Sequence, residues 1–484
     1  MIVLFLLGYL AIALEHPIKV EKAASALLLG SILWAIYALS SEQVLAMGFS
    51  PSWEELKLMG QQILGNIAPA MTPDQFATSP FRETAELAGH SSAFVREELA
   101  HHLVDIAEIL FFLFGAMTIV EVIDQHHGFT VITNRITTTS KVKLIWIIGI
   151  ITFFMSAVLD NLTTTIVMIA LLRKLISDKP TRWIFASMIV IAANAGGAWS
   201  PIGDVTTIML WIGGQITTVN IILKVFIPSL LNMIVPLTIL SFMVRGEIKR
   251  PERAHESADI TTPFERTFIL ILGVSMLLFV PVFKTITHLP PYMGMLFGLG
   301  ILWLVSEIMH RDKEEEIRKK LTIYNIVKKV DTPTIFFFLG ILSAVAALQS
   351  AGHLSLLAGW LDEKLGDIYL INLAIGAISA VVDNVPLVAG AMGMYEVVTP
   401  DMLRMAADPA YAGFFVQDGL FWELLAYCAG TGGSMLIIGS AAGVAAMGLE
   451  RIDFIWYMKK ISWLALVGYL AGAGAYWVQA QILG

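Results

Sequence analysis

The chain has 484 residues, 57% of them hydrophobic and only 14% charged, with a mean hydropathy of +0.75; a soluble domain carries about 25% charge. Its 31 basic and 39 acidic residues leave a net charge of −8, without the surplus of basic residues that a nucleic-acid binder needs. A lone cysteine, Cys428, excludes an internal disulfide framework and a cysteine-built metal cage, and no Walker-type phosphate loop supports an ATP-driven pump. This is the composition of a polytopic membrane protein.

In chain order, Met1 to Leu14 is apolar, lacks a basic start and is followed by Glu15-His16-Pro17, so it reads as a short membrane helix and not as a signal peptide. A spanning helix needs about 20 apolar residues. The stretches 23–39, 100–123, 221–244, 267–283, 291–309, 334–351 and 454–480 meet that need. Shorter apolar pieces lie at 144–159, 161–172, 183–194, 205–213, 368–382, 384–394, 418–429 and 435–448. They meet at polar or glycine-rich junctions: Asp160-Asn161, Asn194 to Asp204, Asp383-Asn384 and Gly430 to Ser434. Irregular backbone at membrane depth is tolerated only inside protein or along a wet cavity, and paired interrupted segments mark transporter sites.

An internal repeat pairs these pieces. Ser156-Ala-Val-Leu-Asp160-Asn161 recurs as Ser379-Ala-Val-Val-Asp383-Asn384, an offset of 223. Phe111-Phe112 and Gly115 recur as Phe336-Phe337 and Gly340, and the run from Gly196-Gly197 to Asp204 recurs from Gly432-Gly433 to Ser440. Lys141, Lys143, Arg173, Lys174, Lys179 and Arg182 flank the first hairpin, whereas Asp362, Glu363, Asp367, Glu396 and Asp401 dominate around the second. Basic flanks collect on the cytoplasmic side, so the two repeats are expected to be inverted, each with a re-entrant helical hairpin and a broken transmembrane helix. The expected fold is all-α. Residues 1–98 hold two N-terminal helices and an external loop, 99–244 the first repeat, 245–333 cytoplasmic loops with two linking helices, and 334–484 the second repeat. The acid-rich loop 41–98 reads as short amphipathic turns, and Trp34, Tyr37, Trp456 and Trp477 as interface anchors.

The chemistry lies in the few acids placed at the junctions. An ionised aspartate near the bilayer centre costs about 2.5–3.5 kcal/mol, and this chain spends that on Asp160, Asp204 and Asp383. Neutral oxygen donors surround them in sequence: Asn161, Thr163, Thr164, Ser200, Thr206, Thr207, Asn384, Ser434 and Ser440. Hard cations are held by such oxygens, and the carbonyl ends of broken helices favour cations too. The Gly-Gly pairs at 196–197 and 432–433 are expected to let the backbone unwind toward an ion. Helix capping is the plain alternative for Asp160 and Asp204, back-bonding for the threonines, and a helix-breaking cap for Asn194. His101, Asp105 and Glu108 form a helical stripe, with Glu121 and Asp124 beyond it; Glu108 is the deepest proton-relay candidate, while for His101 and His102 a solvated boundary pair is the more common reading.

These motifs, together with Asn194-Ala-Gly-Gly-Ala-Trp-Ser-Pro-Ile-Gly-Asp204 and His101-His102-Leu-Val-Asp-Ile-Ala-Glu108, resemble the NhaD-type sodium/proton antiporters of the ion transporter superfamily. The resemblance covers about residues 15 to 480 and implies a bacterial inner-membrane homodimer, free of cofactors, that exchanges Na⁺ or Li⁺ for protons. On this reading Asp160, Asp204, Asp383, Asn161, Asn384, Thr163, Ser200, Thr206 and Ser434 hold the cation, with protons carried by Asp160, Asp204, Asp383 and Glu108. Ser440 stands where symmetry would place Asp204. The rival expectation is a cation-coupled carrier of a dicarboxylate or oxyanion, but 144–172, 183–213 and 368–394 contain no lysine or arginine to shield a bound dianion.

Overall fold

A computed structural model describes residues 1–13, 15–133, 136–249 and 260–483; residues 250–259 of the basic loop predicted at 245–266 lie outside them, as does Leu14. The described residues are helical almost throughout, with a single isolated bridge between Ser140 and Glu247. The helices used below are α1 (Lys22–Leu39), α2 (Ser91–Gln125), α3 (Lys141–Leu159), α4 (Asn161–Leu175), α5 (Lys179–Ala198), α6 (Val205–Ile212), α7 (Thr218–Met243), α8 (Pro263–Thr287), α9 (Pro291–His310), α10 (Thr332–Ser350), α11 (Ile368–Ile378), α12 (Asn384–Met394), α13 (Leu420–Gly432), α14 (Ala441–Glu450) and α15 (Ser462–Leu483).

Among the described residues seven helices are long and apolar enough to cross a membrane: α1, α2, α3, α7, α8, α9 and α10. Of these, α3 was expected to fall short; the structure carries it back to Lys141 for 19 residues. The segment predicted at 454–480 is not one rod. It bends by 51° between Phe454–Lys460 and α15. Residues 2–13 form a helix, and 41–88 fold into short helical pieces, among them Pro51–Gln62 and Pro80–Ala88.

The chain separates into two compact units. The first comprises Met1–Leu110, Thr332–Gly366 and Ala389–Glu396. In it, α1 and α10 approach so closely that a side chain on Gly340 would collide with the backbone of Ala26. Trp34 Nε1 donates to the Ser343 carbonyl at 2.9 Å and Tyr37 Oη to the Ser350 carbonyl at 3.1 Å. Both rings are buried against α10, so they pack a helix pair and are not the interface anchors expected; their polar tips have backbone partners inside the protein, and need no headgroup region. Trp477 is 51% exposed.

The second unit comprises Phe111–Asp331, Asp367–Val388 and Val397–Gly484. There α3 packs along α5, and α11 along α13. Proline at 228 inside α7 deprives the Lys224 carbonyl of its helical donor. Gln479 Nε2 of α15 supplies the missing bond at 3.0 Å, which is how a proline is accommodated in a spanning helix.

Candidate functional site

The two halves of the second unit make the same close contacts at equivalent positions. Ser156 Oγ donates to the Ala193 carbonyl at 2.6 Å, and Ser379 Oγ to the Ala429 carbonyl at 2.9 Å. A Cβ on Gly196 would strike the Phe153 carbonyl oxygen, and one on Gly432 the Gly376 carbonyl oxygen. Gly197 faces Gly203 and Asp204; Gly433 faces Gly439 and Ser440. The expectation that these pairs unwind is corrected here. Gly196, Gly197 and Gly432 remain helical, Gly433 caps α13, and the irregular backbone follows them at 199–204 and 433–440. Lacking side chains, they let a broken helix press against the hairpin beside it.

Asp204 lies at the first irregular stretch, 1% exposed. As the N-cap of α6, its Oδ1 accepts from the Thr206 amide and hydroxyl, each at 3.0 Å. Asn161 Nδ2, at the tip of the first hairpin, donates to Asp204 Oδ2 at 2.6 Å. Asn384 Nδ2, at the tip of the second, lies 3.4 and 3.3 Å from its two oxygens. Every one of these donors is neutral. The Asp-Asn repeat therefore delivers two amides to one carboxylate, that of Asp204.

Asn194 completes the network from within the last turns of α5, where it stays helical and is not the helix-breaking cap expected. Its Oδ1 accepts from Asn161 Nδ2 at 3.0 Å, and its Nδ2 donates to Ser434 Oγ and Ser440 Oγ, both at 2.9 Å. It is fully buried and ties the Asp204 junction to the Ser440 junction. Thr207 Oγ1 turns back to the Asp204 carbonyl, and Ser200 Oγ donates to the Ala157 carbonyl at 2.5 Å. The buried Thr164 hydroxyl has no hydrogen-bond partner among the described residues.

The other two acids behave differently. Asp160 has φ 72° and caps α4, accepting from the Thr163 amide and hydroxyl at 2.8 Å each. Asp383 Oδ1 accepts from the Val385 amide at 3.2 Å. Both are part-exposed, whereas Asp204 is enclosed. Among the described residues no three acid or imidazole side chains are placed to share one metal ion. Glu108 belongs to the first unit and is half-buried; on the same helix His101 and Asp105 are exposed, 3.9 Å apart.

At one end of this unit the basic residues have partners that the sequence did not reveal. Arg173 Nε and Arg182 Nε donate to the buried Glu450 carboxylate at 2.7 and 2.9 Å, and Trp183 Nε1 to its carbonyl at 3.0 Å. Outside the helices, hydrogen bonds from the Thr181 side chain and amide hold the Asp178 carboxyl below the usual range. At the other end the Asp418 carboxylate accepts from the Thr217 amide and hydroxyl at 2.6 and 2.7 Å, and Lys284 Nζ donates to the Trp211 carbonyl at 3.1 Å.

Comparison with known proteins agrees with this architecture. Residues 9–414 match the family model described as citrate transporter. Sodium/proton antiporter 2 of Arabidopsis thaliana is 45% identical, over 78% of this chain and 87% of its own length. Sodium/proton antiporter 1 of the same plant is 48% identical over 78% of this chain, which spans 63% of that relative's length. The Na⁺/H⁺ antiporter NhaD of Vibrio parahaemolyticus is 30% identical over 78% of this chain and 91% of its own length. The chain thus belongs to the citrate-transporter family and, by these relatives, to its NhaD-type sodium/proton antiporters: it is a multi-pass membrane transporter and not an enzyme.

Proposed function

We propose that the protein exchanges Na⁺ or Li⁺ for protons at a single centre built on Asp204. The observation that carries this reading is a buried carboxylate whose partners, Asn161, Asn384 and Thr206, are all neutral. In a low-dielectric site such an anion requires a counter-charge, and a proton or a monovalent cation supplies the same one. The two therefore compete. The amides of Asn161 and Asn384 now donate to the carboxylate; half a turn of either amide presents an oxygen instead, which a hard cation accepts. Asp160 and Asp383 add negative potential from the hairpin tips, and Thr163, Ser200 and Ser434 add further oxygens.

The direction of exchange follows from an inverted arrangement of the repeats. Supporting it, α5 begins and α14 ends at the end held by Arg173, Arg182 and Glu450, whereas α6 ends and α13 begins at the end held by Thr217 and Asp418. With the basic end in the cytoplasm, sodium leaves and protons enter, driven by an inward proton gradient. A bacterial inner membrane is one setting that maintains such a gradient, and a homodimer is the assembly that the resemblance implies. The family description names citrate, so citrate is the substrate to test against sodium; an anion at Asp204 would meet a carboxylate that, among the described residues, has no cationic side chain bonded to it.

The experiment is sodium-dependent proton movement in proteoliposomes containing the purified protein. We expect Na⁺ or Li⁺ to collapse a pre-formed pH gradient, and Asp204→Asn to abolish the response while the protein still inserts. Citrate-driven flux without sodium-driven proton movement would reverse the assignment. Because protons and sodium compete for one carboxylate, the apparent KM for sodium should rise as pH falls, by at most about ten-fold per pH unit.

A further inference from the structure

One buried carboxylate has no part in the exchange as described. Glu423 sits in the first turn of α13 and is 2% exposed. Tyr476 Oη of α15 lies 2.5 Å from Glu423 Oε2 and 3.4 Å from the Leu420 carbonyl oxygen, and the Asn220 amide of α7 donates to Glu423 Oε1. The other charged or titratable groups facing this cluster are Lys224 of α7, Asp418 in the turn before α13, Tyr369 of α11 and Cys428 of α13 itself. Seven residues further along α13, on the same face, stands Gly430, whose Cβ position is 3.9 Å from Asp204 Oδ2. Two helical turns, about 10 Å, separate Glu423 from that point.

A phenolic hydroxyl has one proton to give and lone pairs to receive another. With Glu423 ionised, Tyr476 donates to Oε2. With Glu423 protonated, the carboxyl donates to Tyr476, whose own proton turns to the Leu420 carbonyl. The heavy atoms serve both states without moving.

We infer that Glu423 is a further protonatable residue of the transport cycle, holding a proton between Asp204 and the Asp418 end of the molecule. The inference rests on the proton exchange proposed above. A hydronium ion transfers its proton to Oε2 and leaves as water; the O–H bond of Tyr476 is kept, and only its hydrogen bond changes acceptor.

Glu423→Gln reproduces the protonated state, since its amide donates to Tyr476 and its oxygen accepts from Asn220, so the fold is preserved. Infrared difference spectra of the reconstituted protein across a pH jump should show a protonated-carboxyl band that E423Q lacks and Glu423→Asp retains. The pH–rate profile of sodium-driven proton movement should be displaced in E423Q, by about one pH unit or more, and displaced likewise in Tyr476→Phe, which removes the reversible hydroxyl. A wild-type spectrum and profile in E423Q would overturn the inference and leave Glu423 as packing. If E423Q does not insert, Y476F and E423D decide by the same readouts, a wild-type profile in Y476F overturning it. Absence of sodium-driven proton movement in the wild type would defeat the proposed exchange instead, while the carboxyl band would still judge Glu423.

Discussion

The junctions at Asp204 and Ser440 share a backbone and differ in chemistry. In both, a glycine pair lets a broken helix meet the carbonyl of a neighbouring hairpin helix, and in both a hairpin serine bonds to that broken helix. In the first, Asn194 and Asp204 add an amide and a carboxylate; in the second, the equivalent positions are Gly430 and Ser440. Gly430 leaves room for Asp204, and Ser440 receives the Asn194 amide while capping α14. Repetition supplies the frame, and the departure from it concentrates charge at one point. Two buried carboxylates facing each other would repel and raise the cost of an empty site; one carboxylate with a neutral shell needs only one counter-ion.

This comparison can be broken by substitution, and the largest effect should come from its charged side. Asp204→Asn is expected to reduce sodium-driven proton movement by about 100-fold or more, measured in proteoliposomes beside Ser440→Ala; equal losses would mean that both junctions carry the ion. Next comes Asn194→Ala. It strips the Asn161 amide and two serine hydroxyls of a shared partner, at a cost of about 1–3 kcal/mol, and we expect the KM for sodium to rise about ten-fold. An unchanged KM would confine Asn194 to a structural role.

The shared frame makes its own prediction. Gly196→Ala and Gly432→Ala each force a Cβ into a backbone carbonyl, which should cost about 1–3 kcal/mol and lower Tm by similar amounts in detergent. A large inequality between the two would show that the junctions are not mechanically equivalent. Ser440→Ala should have the smallest effect. Loss of one cap and one amide partner is worth about 1 kcal/mol, visible in thermal melting, with transport changed less than about two-fold.

Part of this site was legible in the chain. Asp204, Asn161 and Asn384 stand out because polar groups at junctions of apolar segments are costly, and the Asp-Asn repeat marks two tips. Asn194 was misread as a cap because an asparagine among alanines looks local, while its partners Ser434 and Ser440 lie 240 and 246 residues away. Trp34 and Tyr37 were misread for a similar reason: their position near the end of a helix says nothing of α10, more than 300 residues distant, whose carbonyls receive them. Arg173 and Arg182 stood out in the sequence only as basic flanks of the first hairpin, and their partner Glu450 was invisible.

The sequence by itself determined that this chain has the composition of a bilayer protein, most of the segments long and apolar enough to span it, where the interruptions fall and that their motifs recur. Those properties follow from local hydrophobicity and from the expense of charge in lipid, which act residue by residue. Only the tertiary structure decided that the three junction aspartates are unequal, with Asp160 capping a helix and Asp204 enclosed by amides from both hairpins. It also decided that the glycine pairs are for close packing and that Asn194 joins the halves. Such outcomes depend on which distant groups are brought within hydrogen-bonding reach, and that reach is set by how the helices pack.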